Sequence, residues 1–182
     1  MAVSRITDEK IIQGCLQNDR RSQRLLYDQF SPTMLGLCMR YANCKDEAED
    51  IMIEGFLRVF QKLDTYKGES SLEYWIRRIM VNSAISYYRK HGKHYKNNSI
   101  DDTFERDVLD VNATIDDTIS VKELMILIQE MPDYLRVILN LRSFEGYEYA
   151  DIAKELDIEE VSCRSRFSKA RKWLEERLNP KF

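Results

Sequence analysis

The sequence predicts an all-α protein, built as two small helical domains joined by an acidic flexible linker. Three observations carry that expectation. Glycine and proline are scarce, at six and three residues in 182, while Leu, Ile, Glu, Lys and Arg abound. Apolar residues recur at helical spacing through most of the chain. The exception is residues 97–118, where Asp101, Asp102, Glu105, Asp107, Asp110, Asp116 and Asp117 are set against Arg106 alone. The apolar content of 43% is enough for a core on each side of that tether.

Element by element, Ile11, Ile12, Cys15 and Leu16, then Leu25, Leu26 and Phe30, then Met34, Leu35, Leu37, Cys38 and Tyr41 suggest two or three short amphipathic helices. Asp46-Glu47-Ala48-Glu49-Asp50 supplies an acidic first turn, and Ile51 to Leu63 continues that helix with an apolar stripe. Thr65 to Ser71 reads as a loop, after which Ser70 or Ser71 can cap a long helix reaching about Lys90. On a helical wheel Leu72, Ile76, Ile79, Met80 and Tyr87 form a core arc. Arg78, Asn82 and Arg89 form a strip beside it, bordered by Trp75 and Ser86; Tyr74, Arg77, Val81 and Tyr88 form a second strip.

Helical pattern resumes at Val121 to Met131, and Pro132 opens another helix over Asp133 to Ser143. Phe144-Glu145-Gly146 ends it. Tyr149 to Leu156 makes a short helix with Ile152, Ala153 and Leu156 inward, Asp157-Ile158-Glu159 turns the chain, and Glu160 to Leu174 makes a second helix. This is the pattern of a helix-turn-helix. The domains are thus expected at 1–96 and 119–182, with the linker at 97–118.

Two basic segments point towards nucleic acid in a chain whose formal net charge is −3. From Tyr74 to Asn97 there is no acidic residue and there are five aromatic rings, the combination that holds a phosphate backbone and stacks on unpaired bases. Aromatics at helical spacing are also ordinary core residues, so Trp75 by itself decides nothing. In the last helix Arg164, Arg166, Lys169, Arg171 and Lys172 occur with no acid between Val161 and Leu174. With Val161, Phe167, Ala170 and Leu174 turned to the core, Arg164, Ser165, Ser168, Lys169 and Arg171 face a major groove. The plainer alternative is a solvated basic face on a structural helix.

Other function classes find less support. No phosphate-cradling glycine loop or nucleophile–base signature is present. His91 and His94 could share a helical face with Cys44 or a carboxylate as a metal site, but no ligand quartet accompanies them, and no metal or cofactor is expected. Cys15, Cys38, Cys44 and Cys163 share no CxxC spacing, which suits reduced thiols in a cytoplasmic protein. No secretory signal is read at the N-terminus, and no apolar run approaches the roughly 18 residues of a membrane span.

The segments Asp46 to Phe60, Trp75-Ile76-Arg77-Arg78-Ile79-Met80-Val81-Asn82 and Tyr88-Arg89-Lys90 resemble region 2 of bacterial RNA polymerase sigma factors. Met131 to Arg136, Glu145-Gly146, Asp151-Ile152-Ala153 and Arg164 to Arg171 resemble region 4, and with only these two regions the chain is similar to the extracytoplasmic-function type. The resemblance implies a non-catalytic subunit that binds core RNA polymerase through Asp50, Ile53 and Glu54. It implies that Tyr74, Arg77, Arg78, Asn82, Arg89 and Lys90 melt and hold the −10 promoter element, with the Thr65–Ser71 loop taking an extruded base. It assigns Arg164, Ser165, Ser168 and Lys169 to the duplex −35 element and Arg166 and Arg171 to phosphates, and it implies an anti-sigma partner and a linker threading towards the RNA exit path. Ile53 stands where the family usually has glutamine, Ser86 where aspartate is common, and Asp157 and Val161 where glycine is frequent. A helix-turn-helix regulator acting without core polymerase is the alternative; it would bind duplex as a dimer and would not need the first aromatic-cationic surface.

Overall fold

The computed structural model describes residues 8–91 and 120–178, and among them there are helices and turns but no strand. The chain divides into two compact units between Tyr87 and Tyr88. The acidic stretch 97–118 and His94 lie outside the described residues.

The first unit contains α1 (Asp8–Leu16), α2 (Arg20–Met39), α3 (Lys45–Lys62), a 3-10 turn (Leu63–Thr65) and most of α4 (Leu72–His91). Asp19 caps α2 by accepting from the amides of Arg21 and Ser22. Its hydrogen bonds with Ser22 hold its carboxyl below the usual carboxylate range. Where the apolar pattern suggests a break between Phe30 and Met34, α2 runs on through Pro32. An interior proline costs about 3 kcal/mol or more. Leu26, Phe30, Met34, Leu37 and Cys38 form one buried stripe across it, and burial at about 1.5–3 kcal/mol for each large apolar side chain outweighs that cost.

Leu26, Met34, Ile51, Leu63, Ile76 and Met80 are buried in this unit. A Cβ on Gly55 would collide with the Met80 thioether, so this glycine is what lets Met80 seat against α3. The start of α4 is fixed by Ser71, whose hydroxyl accepts from the Tyr74 amide at 3.2 Å.

The second unit contains α5 (Val121–Glu130), α6 (Asp133–Leu139), a π-turn (Asn140–Phe144), α7 (Tyr149–Leu156) and α8 (Glu160–Leu178). A capping box opens α5: the Glu123 amide donates to the Ser120 hydroxyl at 3.3 Å, and the Ser120 amide donates to the Glu123 carboxylate at 2.8 Å. Those bonds hold the Glu123 carboxyl below its ordinary value. Met131, Leu135, Leu139 and Ala170 are the core, packed by Tyr134, Phe167, Trp173 and Leu174. Arg136 is buried beside that core; it donates to the Gln129 carbonyl at 2.6 Å and pairs with Asp133.

The expected helix over Asp133–Ser143 widens after Leu139 into the π-turn, where the Glu145 amide donates to the Asn140 carbonyl five residues back. The buried Asn140 side chain donates to the Arg136 carbonyl at 2.9 Å, which also accepts from the Asn140 amide. Val161 does not face the core: it is 55% exposed. The inward stripe of α8 runs Cys163, Phe167, Ala170 and Leu174, and Val161, two residues before its start, projects to the far side at about 100° per residue. Asp157 ends α7 in the left-handed region (φ 54°), which a short polar side chain tolerates without glycine.

Candidate nucleic-acid interface

On α3, Asp46, Asp50, Ile53, Glu54 and Leu57 are exposed at helical spacing, while Ile51, Met52, Gly55, Phe56 and Val59 are buried. Ile53 and Leu57, one turn apart, are 52% and 57% exposed and give this otherwise acidic strip an apolar centre. Leu57 is missed by a motif reading; its signal is an apolar residue one turn after Ile53 on the face away from the stripe. Glu54 does not stand alone, since its carboxylate pairs with Arg58 at 2.5 Å. Arg58 also donates to the Ser86 hydroxyl of α4 at 3.3 Å, and Ser86 donates to the Asn82 carbonyl at 2.8 Å. The position where aspartate is common thus still receives the arginine, as a neutral hydroxyl.

Along α4, Arg78, Asn82, Arg89 and Lys90 are exposed, Trp75, Arg77, Ser86 and Tyr88 are half-buried, and Tyr74 is 58% exposed. Leu72, Ile76 and Met80 are buried; Ile79 and Tyr87 of the expected core arc are only half-buried. The second strip is interrupted, because Val81 is buried. The reason is that Val81, Ala84 and Ile85 join Met80, so the buried face of α4 widens at its middle. What remains at its N-terminal end is Tyr74 and Arg77, with Arg78 and Asn82 on the neighbouring strip.

Trp75 has a different use from a base platform. Its ring packs on that of Tyr66 with centroids 5.5 Å apart, and the Tyr66 hydroxyl donates to the Ser70 carbonyl at 2.6 Å. Gly68 sits between them at φ +75°, a conformation that disfavours any side chain. The loop before α4 is therefore braced from beneath by two rings, while Lys67, Gly68, Glu69 and Ser70 are exposed.

In the second unit, Ile152, Ala153 and Leu156 of α7 and Cys163 and Ala170 of α8 are buried, which presents the other side of α8. Arg164, Ser168, Lys169, Arg171 and Lys172 are exposed on that side and Ser165 is half-buried beside them. Arg166 falls elsewhere: it is half-buried, with its guanidinium 5.7 Å from the centroid of the Tyr134 ring. Arg164 donates to the Glu160 carboxylate at 2.5 Å, and Arg171 pairs with Glu175 at 3.6 Å. The exposed arc carries donors of the kind that read guanine edges and phosphates.

No helix among the described residues is long and apolar enough to cross a membrane, and no three of their His, Cys, Asp or Glu side chains gather as a metal site. Cys15, Cys38 and Cys163 are buried free thiols and Cys44 is an exposed one. Burial pushes the Cys38 thiol up to about 12, far from the range of a nucleophile.

Comparison with known proteins places these surfaces in a family frame. The Sigma-70 region 2 model matches residues 26–94, and the Sigma-70, region 4 model matches residues 122–174. The ECF RNA polymerase sigma-E factor of Haemophilus influenzae is 28% identical over 184 residues, covering 96% of this chain and 97% of that protein. The RNA polymerase sigma-H factor of Pseudomonas aeruginosa is 28% identical over 191 residues, covering 95% and 94%. Among solved structures, the sigma factor RpoE in complex with the anti-sigma factor NepR from Bartonella quintana superposes with a TM-score of 0.50 at 22% identity, covering 84% of this chain and 94% of that one.

Proposed function

Because the chain belongs to the sigma-70 family, in its extracytoplasmic-function type, it is a sigma factor for transcription initiation that acts with core RNA polymerase and promoter DNA, and we propose that its two units divide the work at the promoter. The observation that carries the reading is the order of the two matches: region 2 spans α2 to α4 and region 4 spans α5 to most of α8. An independent helix-turn-helix regulator has no use for the first of these.

The first unit holds the polymerase through the exposed strip of α3, with Asp50 and Glu54 as charges and Ile53 and Leu57 as its apolar centre. The −10 element is opened and held by Tyr74, Arg77, Arg78 and Asn82 of this unit together with Arg89 and Lys90 of the last turn of α4, beyond the boundary after Tyr87, and the loop braced by Tyr66 and Trp75 takes an extruded base. Stacking and cationic contacts serve here because the bases are read only once unpaired. In the second unit Arg164, Ser165, Ser168 and Lys169 read the −35 duplex and Arg171 meets phosphate. Arg166 serves better as a brace on Tyr134 than as a phosphate contact. The protein has no catalysis of its own in this reading, works in the cytoplasm, and is held inactive by an anti-sigma factor that covers its DNA-binding surfaces.

The test is direct. Purified chain mixed with cognate core polymerase should co-elute with it and support run-off transcription from a subset of genomic fragments. A chain that neither binds core nor directs initiation would sink the reading.

A further inference from the structure

Tyr149, the first residue of α7, collects two guanidiniums on one ring. Arg164 lies 4.6 Å and Arg142 lies 4.8 Å from its centroid, and the edge of the Phe167 ring meets it at 5.9 Å and 69°. Each arginine has a second hold. Arg164 is bound by Glu160 through both Nε (3.2 Å) and Nη2 (2.5 Å), and Arg142 pairs with Glu148 at 3.0 Å and donates to the Tyr147 carbonyl at 2.9 Å. Tyr149 is half-buried, in contact with Phe167 of α8 as well as with the two arginines.

We propose that Tyr149 is the positioning residue for base readout by Arg164, with Glu160 as its second anchor; this rests on the assignment of Arg164 to the −35 duplex made above. An arginine reads a guanine edge through two parallel donors, so the plane of the guanidinium must be set as well as its position. Left to itself the long side chain samples many rotamers, and the ordering is then taken out of the binding free energy. The ring and the carboxylate hold that plane before DNA arrives. Because Tyr149 stands on α7 and Arg164 on α8, the hold also ties the reading group to the relative placement of the two helices. The carboxylate has a further effect: it repels phosphate, so the Glu160–Arg164 pair is steered away from the backbone and towards base edges.

The experiment uses the full chain bound to core polymerase, on a promoter recovered by run-off transcription and randomised across its upstream element. Arg164→Ala should flatten base preference at one position. Tyr149→Leu should weaken the preference at that same position about 2–5-fold, the size of an exposed cation–π contact, and leave the other positions unchanged. The double variant should match Arg164→Ala alone. Tyr149→Phe should keep the preference, whereas Tyr149→pentafluorophenylalanine, with a ring of similar shape but inverted quadrupole, should lose it; this pair decides the matter even where Tyr149→Leu fails to fold. Unchanged preference in Arg164→Ala overturns the base-reading assignment and the positioning role with it. A changed preference in Arg164→Ala with equal behaviour of the two phenylalanines, or a uniform loss at every position in Tyr149→Leu, overturns the positioning role alone.

Discussion

The two units use aromatic rings and arginines in opposite ways. In the first, the rings meet each other: Trp75 lies on Tyr66 and braces a loop, while Arg78 and Asn82 are carried on an exposed strip of α4. In the second, the rings meet cations: Tyr149 holds Arg142 and Arg164, and Tyr134 holds Arg166. The difference follows the form of DNA assigned to each. A duplex presents its base edges at fixed positions, so donors set in advance gain affinity and discrimination. An opening strand has no fixed form until it is bound, and a surface that captures it is better built from a firm loop and adaptable contacts. Substitutions that affect one unit alone test that separation.

The largest effect is expected at Arg136, whose side chain is 2% exposed and ion-paired to Asp133. Arg136→Ala leaves the mostly buried carboxylate of Asp133 uncompensated and a cavity beside Leu135 and Leu139, which should cost about 3–5 kcal/mol. Thermal melting should then show the second unit unfolding early, with −35 recognition lost and co-elution with core polymerase kept through α3. Loss of both activities together would break the claim that the units work separately.

Next come Arg78→Ala and Asn82→Ala. A charged hydrogen bond removed costs about 1.5–3 kcal/mol, or roughly 10–100-fold. Transcription from intact duplex promoters should fall by that order for Arg78→Ala, and by less for Asn82→Ala. Both variants should recover on templates pre-melted at −10, because the lost contacts help opening. An equal loss on both templates would place these residues in general DNA binding and erase the contrast with α8.

How much of this is legible in the sequence depends on the range of the forces involved. The limits of α7, Tyr149–Leu156, are visible there because a short apolar stripe and a following turn define them locally. The passage of α2 through Pro32 is not, since propensity favours a break and only the buried stripe across it overrides the proline. Val81 and Val161 lie on the opposite sides from those a wheel gives them, for related reasons. A wheel assumes one buried arc of constant width, whereas α4 is buried most widely at its middle, from Met80 to Ile85, and α8 has Cys163 rather than Val161 at the head of its stripe. The basic residues of both surfaces are identifiable by charge alone. Their ring and carboxylate partners are not all so, because Tyr149 and Arg164 are brought together only by the crossing of α7 and α8.

The smallest effect concerns Ser86, which accepts from Arg58 where a carboxylate would form a second ion pair. Ser86→Asp should place Arg58 between two carboxylates, that of Glu54 on α3 and the new one on α4. Its gain is modest, within about 1 kcal/mol, since the Arg58 side chain is 31% and that of Glu54 48% exposed, and water screens both. The sign with pH follows from the arginine: it favours the charged carboxylate, so the folded-state value at position 86 falls below the ordinary aspartate value of about 3.9. The added stability is therefore present above that value and lost as pH falls through the lower folded one. The same substitution draws Arg58 away from Glu54, the charge assigned to the polymerase contact. Affinity for core polymerase should thus rise slightly and become more salt-sensitive, while base preference at −35 stays unchanged. Titration of core binding at two ionic strengths reads the first effect. A shift in −35 preference would mean that a change confined to α3 and α4 is felt at α8, and the two surfaces would then have to be treated as one.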